Sequence, residues 1–464
     1  MSKAIRFAVM GDTHYVRPES HRNVLEHRIQ RGPTDLEDVR RHQFMTKEVV
    51  PEVIRSIADV EPDFVLHTGD IIQGHHDSEE AGGREAAEAV ELLKGLNAPV
   101  FLTLGTHDGT PHSVTVSEHF LPTIGANLGE KHPRTYYSFS TGGSLFVALD
   151  YTIFRADSEQ ARFIAETFSK SKGYDHVFVF AHPPIFPIGR PFFSNLEFSS
   201  FLQETLQENR VDAYFCGHTH NQVATIHEIG KSFVPQLKST ILGYPDQPAI
   251  PLTDVRPTLV GSSEFQYLWG FLEDSAPSWW IVTVAGELVK AEWHVLGKGV
   301  QGVLTLGVDE RPQVIQEPAL GESTILPLPD SRTIRSVRLR VAGSGCRTKE
   351  LYRVLLNGKE VGYLPTLDYF DCRQFLEIGE SSWHLLRESN VLEVSFGSEP
   401  MCVGGFVLEI ETQNGDWVRS KPTPYYYANT SRWDDWHTGN LRIVDHDHPV
   451  RATLRFSEAN RRLD

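Results

Sequence analysis

An α/β fold followed by an all-β domain is what this sequence predicts, and three observations carry the prediction. In the first half, apolar runs of strand length alternate with stretches of helical period. Five of those runs end in Asp or His, commonly beside Gly or Pro. Beyond about residue 330, short alternating strands with turn signals take over. A chain of 464 residues exceeds one ordinary core, so two or more domains are expected.

The first strand is Ile5–Met10, which runs into Gly11-Asp12-Thr13-His14-Tyr15. A carboxylate and an imidazole one residue apart at a strand's carboxyl end can point into one crevice, where open α/β sheets hold ligands. A His- and Arg-rich segment through His42 is long for a βα loop and is placed at the entrance to a site. Apolar spacing predicts a helix over 36–60 with a break tolerated at Pro51. A second buried strand, 63–68, ends in Gly69-Asp70. A helix over 78–96 leads to a strand at 100–105, which ends in Thr106-His107-Asp108. Strands at 135–140 and 144–150 and a helix over 157–170 precede Val177–Ala181, which ends in His182-Pro183-Pro184. A helix over 196–208 leads to Ala213–Cys216 and then Gly217-His218-Thr219-His220.

From 222 to 298 the pattern is short strands (223–229, 278–284, 288–295) around a proline-rich loop at 244–258. Gly and Pro with little periodicity predict a linker over 299–330. Residues 331–464 read as a β-sandwich with an irregular tail over the last forty residues. Its strands are 334–341, 352–356, 391–396 and 406–412, with Asn357-Gly358 as a hairpin turn.

Composition narrows the function. A formal net charge of −17 disfavours sequence-independent attraction to nucleic acid or anionic membranes. It leaves an anionic small molecule open, because a local metal charge can outweigh a distant surface field. Four cysteines without C-x-x-C spacing argue against a zinc ribbon and a disulfide framework. With no leader pattern and no bilayer-length apolar run, the expectation is a soluble, cytoplasmic protein.

Collected in order, the strand ends offer Asp12, His14, Asp70, Thr106, His107, Asp108, His182, His218 and His220. Mixed carboxylate and imidazole ligands without cysteine suit zinc, iron or manganese. Two ions about 3.5–4 Å apart need roughly this many ligands, with one carboxylate shared between them.

These residues resemble the calcineurin-like metallophosphoesterases, whose ordered signature is D-x-H, G-D, G-N-H-D/E, H, G-H-x-H. This chain supplies Asp12-x-His14, Gly69-Asp70, Gly105-Thr106-His107-Asp108, His182 and Gly217-His218-x-His220 over residues 1–298. The resemblance implies a four-layer α/β/β/α sandwich. It also implies a binuclear centre of divalent or trivalent manganese, iron or zinc, and hydrolysis of a small-molecule phosphate ester. By matching position, Asp12, His14 and His220 would hold the first ion, Asp70 would bridge, and His182 and His218 would hold the second with Thr106. A metal-bridging hydroxide would attack phosphorus, and His107, beside Asp108, would assist the leaving group. A phosphodiester is the expected substrate. A phosphomonoester, a different metal-dependent reaction, and a scaffold with attenuated catalysis are the alternatives.

Two positions depart from the family. Thr106 stands where the family has Asn, and its hydroxyl falls about 1 Å short, against a ligand-distance tolerance near 0.2 Å. Gln73 stands where many members carry an acidic residue or histidine, so it can orient His107 without supplying charge. His75, His76 and Asp77 are the neighbours able to take that place. Tyr15, Arg17, His75, His76, His112 and Arg190 are candidate substrate contacts, each near a ligand in sequence. The C-terminal sandwich resembles galactose-binding-like and jelly-roll accessory domains, with bracing or homo-oligomer formation as its expected role.

Overall fold

The computed structural model describes residues 4–26, 35–131, 133–185, 192–193, 195–220, 222–229, 232–241, 265–271, 277–307, 312–316, 327–344, 352–364, 372–395, 401–420, 423, 425–428, 436–437, 441–444 and 449–456. The chain divides into two compact units. The first is 1–188, 194–246 and 260–319, and the second is 189–193, 247–259 and 320–464.

The strands run β1 (Ile5–Met10), β2 (Phe64–His67), β3 (Val100–Leu102), β4 (Tyr137–Thr141), β5 (Ser144–Ala148) and β6 (His176–Phe180). After β7 (Phe192–Phe193), which falls in the second unit, come β8 (Ala213–Cys216), β9 (Gln222–Ile229), β10 (Ser232–Lys238) and β11 (Phe265–Phe271). β12 (Ser278–Ala285), β13 (Leu288–Val295), β14 (Gly299–Leu306) and β15 (Gln313–Gln316) complete the first unit. One sheet has the order β15-β14-β13-β12-β1-β2-β3 and the other β11-β9-β10-β8-β6-β5-β4. Within them β1, β2 and β3 are parallel, as are β5, β6, β8 and β10. Each parallel set therefore presents its carboxyl ends along one rim, as the strand-end pattern requires.

Alternation explains the layering. Phe178 and Phe180 of β6 join a core with Phe7, while Val177 and Val179 join a second core. Phe7 is fully buried, stacks on Phe64 of its own sheet at 5.2 Å, and meets Phe146, Phe178 and Phe215 of the other sheet edge-on. This aromatic cluster is the seam between the two sheets. Helices α3 (Val50–Ala58) and α4 (Glu79–Leu93) pack on the first sheet, and α6 (Glu159–Ser169) and α7 (Leu196–Glu208) on the second. The architecture is the four-layer α/β/β/α sandwich.

The structure differs from the sequence reading in two places. After a short α1 (Arg22–Leu25), the helix over 36–60 is α2 (Asp35–Phe44), a π-helical turn (Met45–Val49) and α3, with the Val50 amide donating to the Met45 carbonyl. Pro51 has no N–H, and the wider turn before it absorbs the missing bond. The same device precedes Pro122, where a π-turn (Val116–Phe120) opens α5 (Leu121–Leu128). The expected linker is corrected: β14 and β15 lie within 299–330 and extend the first sheet, with a register irregularity between Trp293 and His294. The proline-rich loop at 244–258 lies outside the described residues.

The second unit is a β-sandwich. One sheet joins β16 (Ile334–Ser344), β19 (Cys372–Glu377), β21 (Met401–Thr412), β22 (Trp417–Arg419), β23 (Tyr425–Ala428) and β25 (Leu441–Val444). The other joins β17 (Tyr352–Leu356), β18 (Lys359–Leu364), β20 (Ser389–Val394) and β26 (Val450–Arg455). Leu339, Phe406 and Leu408 of the first share a core with Val354, Leu392 and Leu454 of the second. The turn at Asn357-Gly358 has positive φ at both residues, which a two-residue hairpin of this type demands. The tail is strand-forming where it is described, and its β24 (Trp436–His437) pairs antiparallel with β7. No described helix is long and apolar enough to cross a membrane.

Because Phe7 touches aromatic rings of both sheets, Phe7→Ala is expected to destabilise the fold by about 3–5 kcal/mol. A urea midpoint that falls at constant slope would show it.

Candidate metal centre

The ligands gather at the rim because the backbone bends sharply after each strand. Nine described non-glycine residues have positive φ, and five of them are Asp12 (53°), His14 (42°), Asp70 (50°), His218 (73°) and His220 (46°). Such conformations cost on the order of 1–3 kcal/mol each and persist only when the surroundings impose them. Here the imposition is visible. The Asp12 amide donates to the Gly69 carbonyl, the His14 amide to that of Asp70, and the Gly217 amide to that of His182. Gly105 supplies clearance, since a Cβ there would lie 2.0 Å from Asp70 Oδ1.

Two ligand sets result. Asp12, His14, Asp70 and His220 form one, and Asp70, His182 and His218 the other, with donor atoms within 4.8 Å of one another in each. His14 Nε2 faces His220 Nε2 at 3.0 Å, and His182 Nε2 faces His218 Nδ1 at 2.9 Å. Asp70 Oδ2 lies 3.5 Å from His14 Nε2 and 3.1 Å from His182 Nε2, so one carboxylate oxygen serves both sets. With metal–nitrogen bonds near 2.0–2.1 Å, donor atoms sharing one ion stand about 3.0–3.4 Å apart, so the residues fit the cations.

Neighbouring groups fix which ring nitrogen faces inward. His14 Nδ1 donates to Gln73 Oε1 at 2.9 Å, and His182 Nδ1 to the Thr68 carbonyl at 2.9 Å. Each bond leaves the opposite nitrogen with a lone pair for a cation. Gln73 Oε1 also meets His42 Nδ1, and the His42 ring lies 4.9 Å from His14. The sequence reading placed the segment through His42 at the site entrance but gave His42 no task.

His107 is half-buried beside this arrangement, 4.8 Å from the His14 ring. Its amide donates to Asp70 Oδ1 at 2.9 Å, and its Nδ1 to the Gln73 carbonyl at 2.5 Å. Gln73 therefore orients His107 through its backbone, while its side chain serves His14 and His42. Asp108 is fully buried and accepts from the amides of Gly105, Ile71 and Ile72 at 2.7–3.2 Å. It ties the β2 and β3 loops together. Thr106 is exposed.

The substrate-contact candidates separate. His75 is exposed, with its ring 5.2 Å from His107. Tyr15 and Arg17 both bond Glu88. Asp77 accepts from the Asn23 amide, and His112 is exposed. His76 turns instead toward Glu85 and His21. Arg190 lies outside the described residues. Sequence reasoning also missed Lys238, buried and bonded to Thr219 at 2.7 Å between His218 and His220. A lysine ending an apolar run was the available signal.

Charge is unbalanced without cations. Burial pushes the Asp12 carboxyl up to about 7, with His182 opposing and Asp70 adding to the rise. Burial acts against the charge on Asp70, but His182 and His107 outweigh it and hold that carboxyl well below the usual range. Burial likewise opposes the charge on His182, and Asp70 overcomes it, raising the imidazole to about 9. Burial takes His14 down to about 3, against the pull of Asp70.

A cation must displace the protons held by Asp12 up to about pH 7 and by His182 up to about pH 9. Metal affinity is therefore expected to strengthen from about pH 6 to about pH 9, with protons released on binding. Titration calorimetry in buffers of different ionisation enthalpy measures that release, and a pH-independent affinity would contradict it.

Residues 5–222 match the family described as Calcineurin-like phosphoesterase. No curated protein matches the chain. Among solved structures it is similar to a dimetal phosphatase from Danio rerio, at 13% identity, covering 67% of this chain and 98% of that one, with a TM-score of 0.42. It is also similar to Vps29 from Entamoeba histolytica complexed with Zn²⁺ (13% identity, 67% and 98% covered, TM-score 0.25). Vacuolar Protein Sorting 29 from Cryptosporidium parvum is a third (13%, 68% and 99%, TM-score 0.27).

Proposed function

We propose, from the premise that residues 5–222 belong to the calcineurin-like phosphoesterases and form a metal-dependent hydrolase of phosphate esters, that the chain is a phosphodiesterase using Asp12, His14, Asp70, His182, His218 and His220 to hold two cations. The observation that carries this reading is the pair of facing imidazole nitrogens, 3.0 and 2.9 Å apart, on either side of Asp70. When bound, the cations supply an acidified water and neutralise the phosphoryl oxygens. Imidazole and carboxylate donors suit manganese, iron or zinc.

The chain's own groups do the rest. Asp70 joins the two ligand sets and, through the His107 amide, fixes where His107 stands. The Gln73 carbonyl keeps a proton on His107 Nδ1, so Nε2 is the atom that gains and gives a proton. In this reading Nε2 serves as the general acid for the departing alkoxide. Asp108 acts through the loop it secures, without reaching the reacting atoms. His75, exposed beside His107, is the substrate contact this geometry supports best.

Turnover of bis-p-nitrophenyl phosphate, compared with p-nitrophenyl phosphate, in Mn²⁺, Fe²⁺ or Zn²⁺ tests the reading. The diester should be preferred, and His107→Ala should lower kcat by about 10²–10⁴-fold with metal content unchanged. An unchanged rate in that variant would remove His107 from the chemistry.

The exposure of Thr106 supports a second reading, in which the second cation is held by three protein groups and is the weaker one. Thr106→Asn is then expected to tighten that cation several-fold, read by metal retained after dialysis. If catalysis is attenuated for this reason, diester turnover should rise in parallel.

A further inference from the structure

A second cluster of metal-binding side chains lies in the first unit, outside the two ligand sets. His21, His76 and Glu85 bring one donor atom each to within 4.8 Å of one another. Glu85 is fully buried and His21 nearly so, while the His76 side chain is 14% exposed. His21 Nε2 and the Arg17 amide each lie 2.8 Å from Glu85 Oε2, which accounts for half of the carboxylate. The other half faces His76. Glu85 Oε1 and His76 Nδ1, both buried, face each other at 3.4 Å, within ion-pair distance but without the alignment of a good hydrogen bond. A pair this long and this deeply buried compensates each group poorly for the water it has lost. Their spacing matches the roughly 3.3 Å edge of a tetrahedron around an ion with 2.0–2.1 Å bonds.

The backbone holds this cluster in shape. The Asp77 amide donates to the Ser20 carbonyl, Ser20 Oγ to that of Ala81, and the Asn23 amide to Asp77 Oδ2. The glycine at 82 leaves room for the imidazole, since a Cβ there would lie 2.1 Å from His76 Cδ2. A buried Glu85–His21 pair alone requires neither that room nor the approach of His76.

We propose that His21, His76 and Glu85 bind a third divalent transition cation of the zinc class, with water completing its coordination. Two imidazoles and one carboxylate suit zinc, cobalt or ferrous iron and do not suit calcium. The ion braces the loop between β2 and α4. That loop carries Gln73, whose side chain and carbonyl orient His14 and His107.

The test is metal counting on the full chain reconstituted with Zn²⁺ and passed through a desalting column. Three ions per chain are expected in the wild type, and two each in His76→Ala and Glu85→Gln. His76 is partly exposed, so its truncation should leave the near-ultraviolet circular dichroism unchanged. Co²⁺ supplies the second readout. In a His14→Ala/His182→Ala chain, the visible d–d absorption of the remaining Co²⁺ should vanish when His76→Ala is added. Equal ion counts in wild type and both variants, or a Co²⁺ spectrum indifferent to His76, would overturn the proposal. Loss of the other two ions with the His76-dependent ion retained would sink the binuclear reading instead, so the two failures are distinguishable.

Discussion

Asp70 is the constraint on which the first unit turns. Its carboxylate lies between His14 and His182, one from each sheet, and its second oxygen takes the His107 amide. A buried anion surrounded by imidazoles on three sides is tolerable only if positive charge joins it. In the cation-free chain that charge is a proton held on His182, well above its ordinary range. Backbone strain, the clearance at Gly105 and the exclusion of water from Asp70 all serve to keep this one group where two cations can share it.

Much of this was legible in the sequence, because strand, glycine and ligand follow one another in the chain. Asp12, Asp70, His182 and His218 each sit just past an apolar run, and burial on both faces of a parallel strand makes such runs conspicuous. The C-terminal hairpin at Asn357-Gly358 was legible for a similar reason, since its turn chemistry is local.

What was not legible depends on contacts between distant residues or on a local signal overridden. β10 carries Pro235 in a strand flanked on both sides, between β9 and β8, where proline ordinarily argues against a strand. β14 opens with Gly299 and Gly302 beside a register irregularity, so its glycines read as linker although its edge is paired. The split task of Gln73, side chain to two histidines and carbonyl to a third, could not be read from its position three residues after Asp70. His21, His76 and Glu85 are scattered over sixty-five positions, and only the packing of α4 against the 18–23 segment unites them.

The ligand sets draw on both sheets: Asp12, His14 and Asp70 follow strands of one, His182 and His218 strands of the other. The aromatic seam around Phe7 holds the sheets together below, and the cations would rivet them at the rim. Uptake of metal and consolidation of the fold are then one equilibrium. A ligand at a hundred times its dissociation constant adds about 2.7 kcal/mol to the folded state. The protein's working lifetime in a metal-poor environment would thus be set by how firmly its rim is fastened, as much as by how well its core is packed.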